Sequence, residues 1–267
     1  MIIFLIERVI RFLHNTCAAA IQAVALGTMS NDQLEKLTVL RYERQWESYA
    51  REVHVASGLF LWEREAIKLH FPAPGSRVLV MAAGAGREMI ALAGGGFHVD
   101  GYDCSRPLVA RGNEIIAKLG IEAQLEYTPP SSVPKTKRRY EAALVGWSGY
   151  MYIPGRERRI RFLRGLCGQL SPGAPVMVSF TEGSAGRRRE WTARVGSALR
   201  SLRGAESVEP GDCFANGYQH HFVYDEIRRE MEAAGLDLVY YGGGTCYGHA
   251  IGRVREVLST KGNPGDA

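Results

Sequence analysis

Three groups of side chains in this sequence have the type and spacing to do chemistry. The first is the turn in "VLVMAAGAGREM", Val78 to Met89, where an apolar run enters Ala82, Ala83, Gly84, Ala85 and Gly86. Almost every side chain has been stripped from this turn, which lets a ligand approach the main chain closely. The second is Asp103, closing the next apolar stretch "FHVDGYD", where a carboxylate can accept hydrogen bonds from both hydroxyls of a ribose. The third is the pair His220 and His221 in "NGYQHHFVYDEI", imidazoles able to accept a proton near neutral pH. Tyr150 and Tyr152, just past a strand end at Gly146 and Trp147, add polar aromatic rings that could line an acceptor site.

A dinucleotide suits this turn poorly. Its fingerprint wants a small residue where Met89 stands, so that helix and strand close around a pyrophosphate. The helix also opens on Arg87 and Glu88, and a carboxylate there is a bad neighbour for a diphosphate. A nucleoside ligand without phosphates fits better, and S-adenosylmethionine is one.

The elements that must position these groups follow from periodicity. Residues 32–71 are helical in pattern, and "FPAPGS" (71–76) breaks the chain before the first strand. The apolar run "RVLVMA" (77–82) reads as a buried parallel strand. "REMIALAGGG" is a glycine-closed helix, and "RPLVARGNEIIAKLG" a helix with proline near its start and glycine at its end. Further strands are expected at 97–103, "EAQLEYT", 140–147 and 174–180, with a helix over "ERRIRFLRGLCGQL". After a long insertion, "YDEIRREMEAAG" is a helix, and "LDLVYYGG" with "CYGHAIGRV" forms an antiparallel hairpin. Such alternation predicts an α/β fold, a doubly wound, mostly parallel sheet covered on both faces.

Composition sets outer limits. The chain has 267 residues, 46% apolar and 23% charged, ordinary for a soluble globular protein with a sizeable core. Net charge is +5, with many arginines in 156–203; interspersed Glu157 and Glu190 make these a solvated helix face more readily than a phosphate track. The five cysteines, at 17, 104, 167, 213 and 246, form no C-x-x-C pair, which fits a reducing cytoplasm. No H-E-x-x-H, carboxylate cluster or G-x-S-x-G suggests a metal or a serine nucleophile. In residues 1–28, Glu7, Arg8, Arg11, His14 and Gln22 interrupt every apolar run, so nothing reaches the length of about 18 residues needed to span a bilayer. Their spacing describes an amphipathic helix that lies on a membrane surface, packs on a partner, or precedes a start at Met29.

"RVLVMAAGAGREMIALAGGGFHVDGYDCS" resembles the first two motifs of class I S-adenosylmethionine-dependent methyltransferases. The resemblance continues through "YEAALVGWSGYMYIPGRERRIRFLRGLCGQLSPGAPVMVSF", similar to their fourth strand, following helix and fifth strand. It implies a seven-stranded Rossmann-like sheet with an antiparallel last strand, in a monomer or homodimer. It also implies roles: Ala82, Gly84 and Gly86 against the methionine part, Asp103 on the ribose, and Cys104 beside the adenine. Gly146 and Trp147 would border the methionine and the substrate mouth, and Tyr42, in "YERQWESYA", would belong to an arm over the cofactor. An acid near Val80, a glycine at Ala82 and an acid near Pro129 are missing from the pattern. Either main-chain contacts stand in for them or the cofactor is held more weakly.

The expected organisation is an N-terminal helix (1–28), a helical cap (29–72) and a cofactor domain (73–260) with an insertion at 182–217 that roofs the pocket. The expected function is methylation of a small-molecule acceptor at oxygen or nitrogen, with His220, His221 and Tyr150 as catalytic candidates, the two histidines for proton transfer. Two alternatives stay open: a nucleic-acid methyltransferase, and a cofactor-binding scaffold without activity.

Overall fold

The structure is a computed structural model and describes residues 2–184, 186–214, 217–244 and 247–256. Cys246 and the end of the expected cofactor domain, 257–260, lie outside the described residues. The chain opens with α1 (Ile2–Thr28), α2 (Asn31–Arg44), the single turns α3 (Trp46–Tyr49) and α4 (Glu52–Val55), and α5 (Leu61–His70). Strands and helices then alternate: β1 (Arg77–Met81), α6 (Arg87–Gly94), β2 (His98–Asp103), α7 (Arg106–Lys118), β3 (Ala123–Tyr127) and β4 (Ala142–Val145). A 3-10 turn (Gly149–Tyr152), α8 (Arg156–Gln169), β5 (Pro175–Thr181) and α9 (Arg187–Ser201) follow. The short strands β6 (Asp212–Phe214) and β7 (Tyr218–His220) precede α10 (Tyr224–Ala234), β8 (Leu236–Gly242) and β9 (Tyr247–Val254).

Among the described residues, seven strands form one sheet in the order β3-β2-β1-β4-β5-β9-β8, and β6 pairs with β7 alone. β1 to β5 run parallel, while β9 lies antiparallel between β5 and β8. The fold is therefore the expected one. The order reverses beside β1, whose neighbours are β2 on one side and β4 on the other. Met81 is level with Tyr102 of β2 and with Val145 of β4, so three strand tips end together and open a crevice at that switch point.

Alternation along the strands divides the interior into two layers. Leu79 and Met81 face one side with Val145, Val176 and Val178, covered by Ile160, Leu163 and Leu166 of α8 and Ile227 and Met231 of α10. Val78 and Val80 face the other side with Leu144 and Met177, covered by Ile67 of α5, Met89 and Leu92 of α6, and Ile116 of α7. Apolar residues on both faces explain why β1 reads as a continuous hydrophobic run.

The helical region 32–71 consists of the four helices α2 to α5, and Gly58 at φ +69 turns the chain between α4 and α5. Ser30 caps α2 in a reciprocal box with Gln33. The second half of α1 is built into the body: Ala19, Ala23 and Leu26 are buried. At Gly27 a Cβ would stand 2.9 Å from the Gly196 carbonyl of α9. The insertion thus carries α1 through α9. Outward-facing Phe4, Ile10, Ile21 and Val24 remain exposed.

Candidate active site

A cavity of about 410 Å³ opens where β1, β2 and β4 end. Its floor is the turn after β1. Ala82, Gly84 and Gly86 alternate in positive φ at 51°, 56° and 92°, so the turn winds through left-handed backbone at every second residue. Ala82 adopts that conformation at a cost of about 1–2 kcal/mol relative to an ordinary one. Close approach explains the neighbouring glycines. A Cβ on Gly146 would lie 2.3 Å from the Ala82 carbonyl, and one on Gly149 would lie 2.6 Å from the Ala82 Cβ. Bulky Met89 also finds its room in a glycine, since a Cβ on Gly101 of β2 would meet its sulfur at 2.0 Å.

Asp103 closes β2 and is 7% exposed. Its Oδ2 accepts the Gly84 N–H and its Oδ1 the Ser105 N–H, both at 2.8 Å. Burial pushes its pKa up and these backbone donors partly offset that. Ser105 in turn caps α7, with Pro107 in the first turn, which fixes the strand end that carries the acid.

Glu63 of α5 is buried with Arg87 at the cavity edge. The Arg87 guanidinium donates to both Glu63 oxygens at 2.7 and 2.8 Å, to Glu88 at 2.7 Å and to the Gly58 carbonyl at 2.7 Å. It also lies over the Phe60 ring, 4.1 Å from its centroid. Burial works against the charged guanidinium, but the two carboxylates hold its pKa above the ordinary value. Glu88 accepts the Trp147 N–H at 3.0 Å, tying the start of α6 to the end of β4.

The roof comes from α2 to α4 and from β7, with Tyr42, Tyr49, His54 and Gln219 on the cavity wall. α9 supplies no lining, so most of the insertion supports α1 rather than covering the pocket. The Tyr42 and Tyr152 phenols hydrogen-bond each other, and burial raises the pKa of both. His54 is half-buried, its ring centroid 6.5 Å from Trp147. Burial and the charge of Arg87 lower its pKa, so the ring is neutral at physiological pH. Cys104 lines the cavity as a thiol pushed up to about 12 by burial.

Of the residues named from sequence, Ala82, Gly84, Asp103, Cys104, Trp147 and Tyr42 line this cavity. Gly86 and Gly146 sit behind it and shape its turns. The three catalytic candidates do not reach it, which corrects the sequence expectation. Tyr150 is fully buried and donates to Glu230 at 2.6 Å. His220 is fully buried on β7, its Nδ1 2.7 Å from Asp212 and its Nε2 3.7 Å from Glu226. Burial and Arg159 oppose its charge, but Asp212 and Glu226 prevail and raise its pKa to about 9. His221 accepts from Arg189 at 2.9 Å, and burial, Arg189 and His220 lower it to about 4. Tyr150 and His220 share Arg159 as a neighbour, wholly buried in α8 between Glu209 and Glu230. Glu209, Asp212 and His220 bring three potential metal-ligand atoms within 4.8 Å of one another. The Arg159 guanidinium already holds both Glu209 oxygens at 2.9 Å, so an internal cation balances this cluster. Sequence reasoning missed His54, Tyr49, Gln219 and Tyr247 as wall residues. His249 of β9 is buried, its ring centroid 4.5 Å from that of Trp62.

No family model matches the chain. The fold is shared with solved structures of S-adenosylmethionine-dependent methyltransferases. One from Methanosarcina mazei is 17% identical and aligns with 74% of this chain and 99% of its own, at a TM-score of 0.57. One from Clostridium acetobutylicum is 9% identical, over 80% and 99%, at 0.56. The 1,6-didemethyltoxoflavin-N1-methyltransferase of Burkholderia thailandensis, solved with its substrate and S-adenosylhomocysteine, is 16% identical, over 82% and 88%, at 0.58. The chain therefore has the class I methyltransferase fold. A curated relative, the 23S rRNA (uracil(1939)-C(5))-methyltransferase RlmD of Chromobacterium violaceum, is 28% identical over 114 residues, 43% of this chain. The match spans only 22% of that protein's length.

Proposed function

We propose that the chain is an S-adenosylmethionine-dependent methyltransferase acting on a small, enclosed acceptor at oxygen or nitrogen. The observation that carries this reading is the cavity itself. A side-chain-poor turn at the tip of β1 faces a buried acid at the tip of β2, and the volume of about 410 Å³ lies in the range of small-ligand sites. Asp103 would hold the ribose hydroxyls, and Ala82 and Gly84 would present main chain to the methionine part. Cys104 would lie beside the adenine, and Trp147 would border the methyl end. The cofactor supplies a methyl group on a sulfonium, already activated for in-line transfer; the protein's own task is alignment and exclusion of water.

A small acceptor fits the roof of α2 to α4, whose Tyr42, Tyr49 and His54 cover the cavity. Part of the arginine-rich stretch is taken up inside the protein, with Arg159 and Arg200 buried and Arg158 paired with Asp32, while Arg156, Arg161, Arg187 and Arg188 are exposed and open to an anionic partner such as a nucleic acid. The rRNA-methylating relative favours that second reading; RNA binding that weakens steeply with salt would support it. Exposed Phe4, Ile10, Ile21 and Val24, with Arg8 and Arg11 alongside, support membrane-surface contact by α1. The free thiols of Cys17, Cys104, Cys167 and Cys213 are consistent with a cytoplasmic setting.

Calorimetry with S-adenosylhomocysteine tests the reading. The expected result is binding that Asp103→Ala weakens tenfold or more, since the substitution removes charge-assisted hydrogen bonds of about 1.5–3 kcal/mol. Unchanged affinity in that variant removes Asp103 from the site, and no binding at all removes the cofactor.

A further inference from the structure

The polar groups on the cavity wall are mostly engaged within the protein. Asp103 is held by two backbone N–H groups, and Glu88 by Arg87 and the Trp147 N–H. Glu35 accepts from Ser131, and the Tyr42 and Tyr152 phenols bond each other. Gln219 stands 3.4 Å from His221, and the Cys104 thiol is pushed up to about 12. His54 differs. Its imidazole has no hydrogen-bond partner among the described residues, and it is the one histidine among the wall residues.

Position adds to availability. The His54 ring centroid is 6.5 Å from that of Trp147, which in the reading above borders the methyl end of the cofactor. Arg87 and Glu88 of α6 are the charged groups that face it. Burial and the nearby guanidinium hold the ring neutral, with a lone pair free to accept a proton.

We propose that His54 is the proton acceptor of the transfer. This rests on the methyltransferase reading above. The acceptor's oxygen or nitrogen attacks the methyl carbon, its new bond to carbon forms as the carbon–sulfur bond breaks, and the sulfonium departs as a neutral thioether. The proton of the acceptor passes to the free ring nitrogen of His54 and from there to solvent. A base is needed only where the nucleophile carries a proton that must leave. The acceptor class is accordingly an O–H or N–H group, and the rings of Tyr42, Tyr49, Trp147, Tyr152 and Tyr247 on the wall suit one borne on a flat aromatic ring.

Sinefungin tests the assignment without knowledge of the acceptor, because its amino group stands where the transferred methyl does. A neutral His54 accepts a hydrogen bond from that ammonium, so the wild-type protein binds sinefungin about tenfold more tightly than S-adenosylhomocysteine. His54→Phe reduces the preference to within about twofold of unity while leaving S-adenosylhomocysteine affinity intact. A preference that survives the substitution overturns the proposal. Should His54→Phe fail to fold, the wild-type protein gives a second readout: the imidazole ¹⁵N resonances of His54 shift with sinefungin and not with S-adenosylhomocysteine. Equal responses to the two ligands overturn the proposal as well. If neither ligand binds the wild-type protein, the methyltransferase reading itself falls and His54 loses its role with it.

Discussion

Replacing His220 with glutamine isolates the buried charge network from the rest of the protein. The His220 imidazole is fully buried and held at about 9 by Asp212 and Glu226, against burial and Arg159, which act to lower it. In an unfolded chain it titrates near 6.5. A folded-state value raised above the unfolded one contributes stability that is complete below about pH 6.5 and is lost as pH rises through about 9. The difference, at about 1.4 kcal/mol per pH unit, is worth about 3 kcal/mol. His220→Gln keeps a donor toward Asp212 but cannot titrate. Urea unfolding of both proteins at pH 6 and pH 10, at one ionic strength, measures the effect. The wild-type protein should lose about 3 kcal/mol more than the variant across that interval. Parallel pH dependences would refute the network as drawn. The same value bears on chemistry: at neutral pH this ring is already a cation and has no lone pair with which to accept a proton.

Two further substitutions probe the floor of the cavity. Ala82→Gly relieves a left-handed residue at φ +51 and should raise stability by up to about 1 kcal/mol in thermal or chemical unfolding; a loss of stability would show that the turn is unstrained. Gly101→Ala drives a methyl into the Met89 sulfur and should cost about 1–3 kcal/mol. Met89→Ala should absorb most of that cost, so a double-mutant cycle with no coupling would dismiss the packing argument.

Much of the floor of the site was legible in the sequence because it is local. A buried strand, a turn without side chains and a helix follow one another within Val78–Met89, and each is set by residues a few positions apart. Asp103 was legible for the same reason: it ends an apolar run, and parallel strands of similar length end together. The packing partner of Met89, Gly101 on β2, was not evident from the sequence. The histidines were misread because their roles depend on pairing across space. His220 lies opposite Asp212 in a two-stranded ladder, and neighbours on a strand point to opposite faces, so Gln219 reaches the cavity while His220 turns to Arg159.

The sequence by itself determined the fold class, the glycine turn and its acidic partner, because periodicity and turn chemistry are written over short spans. Only the tertiary structure decided which histidine meets the cavity. His54 lies in a stretch, "EVHVASG", with no motif of its own. Its place depends on a chain reversal at Gly58 that Arg87 anchors from 29 residues away, with Glu63 closing the ion pair beneath it. Buried charges must find partners wherever the fold brings them together, and that search is resolved in three dimensions rather than along the chain.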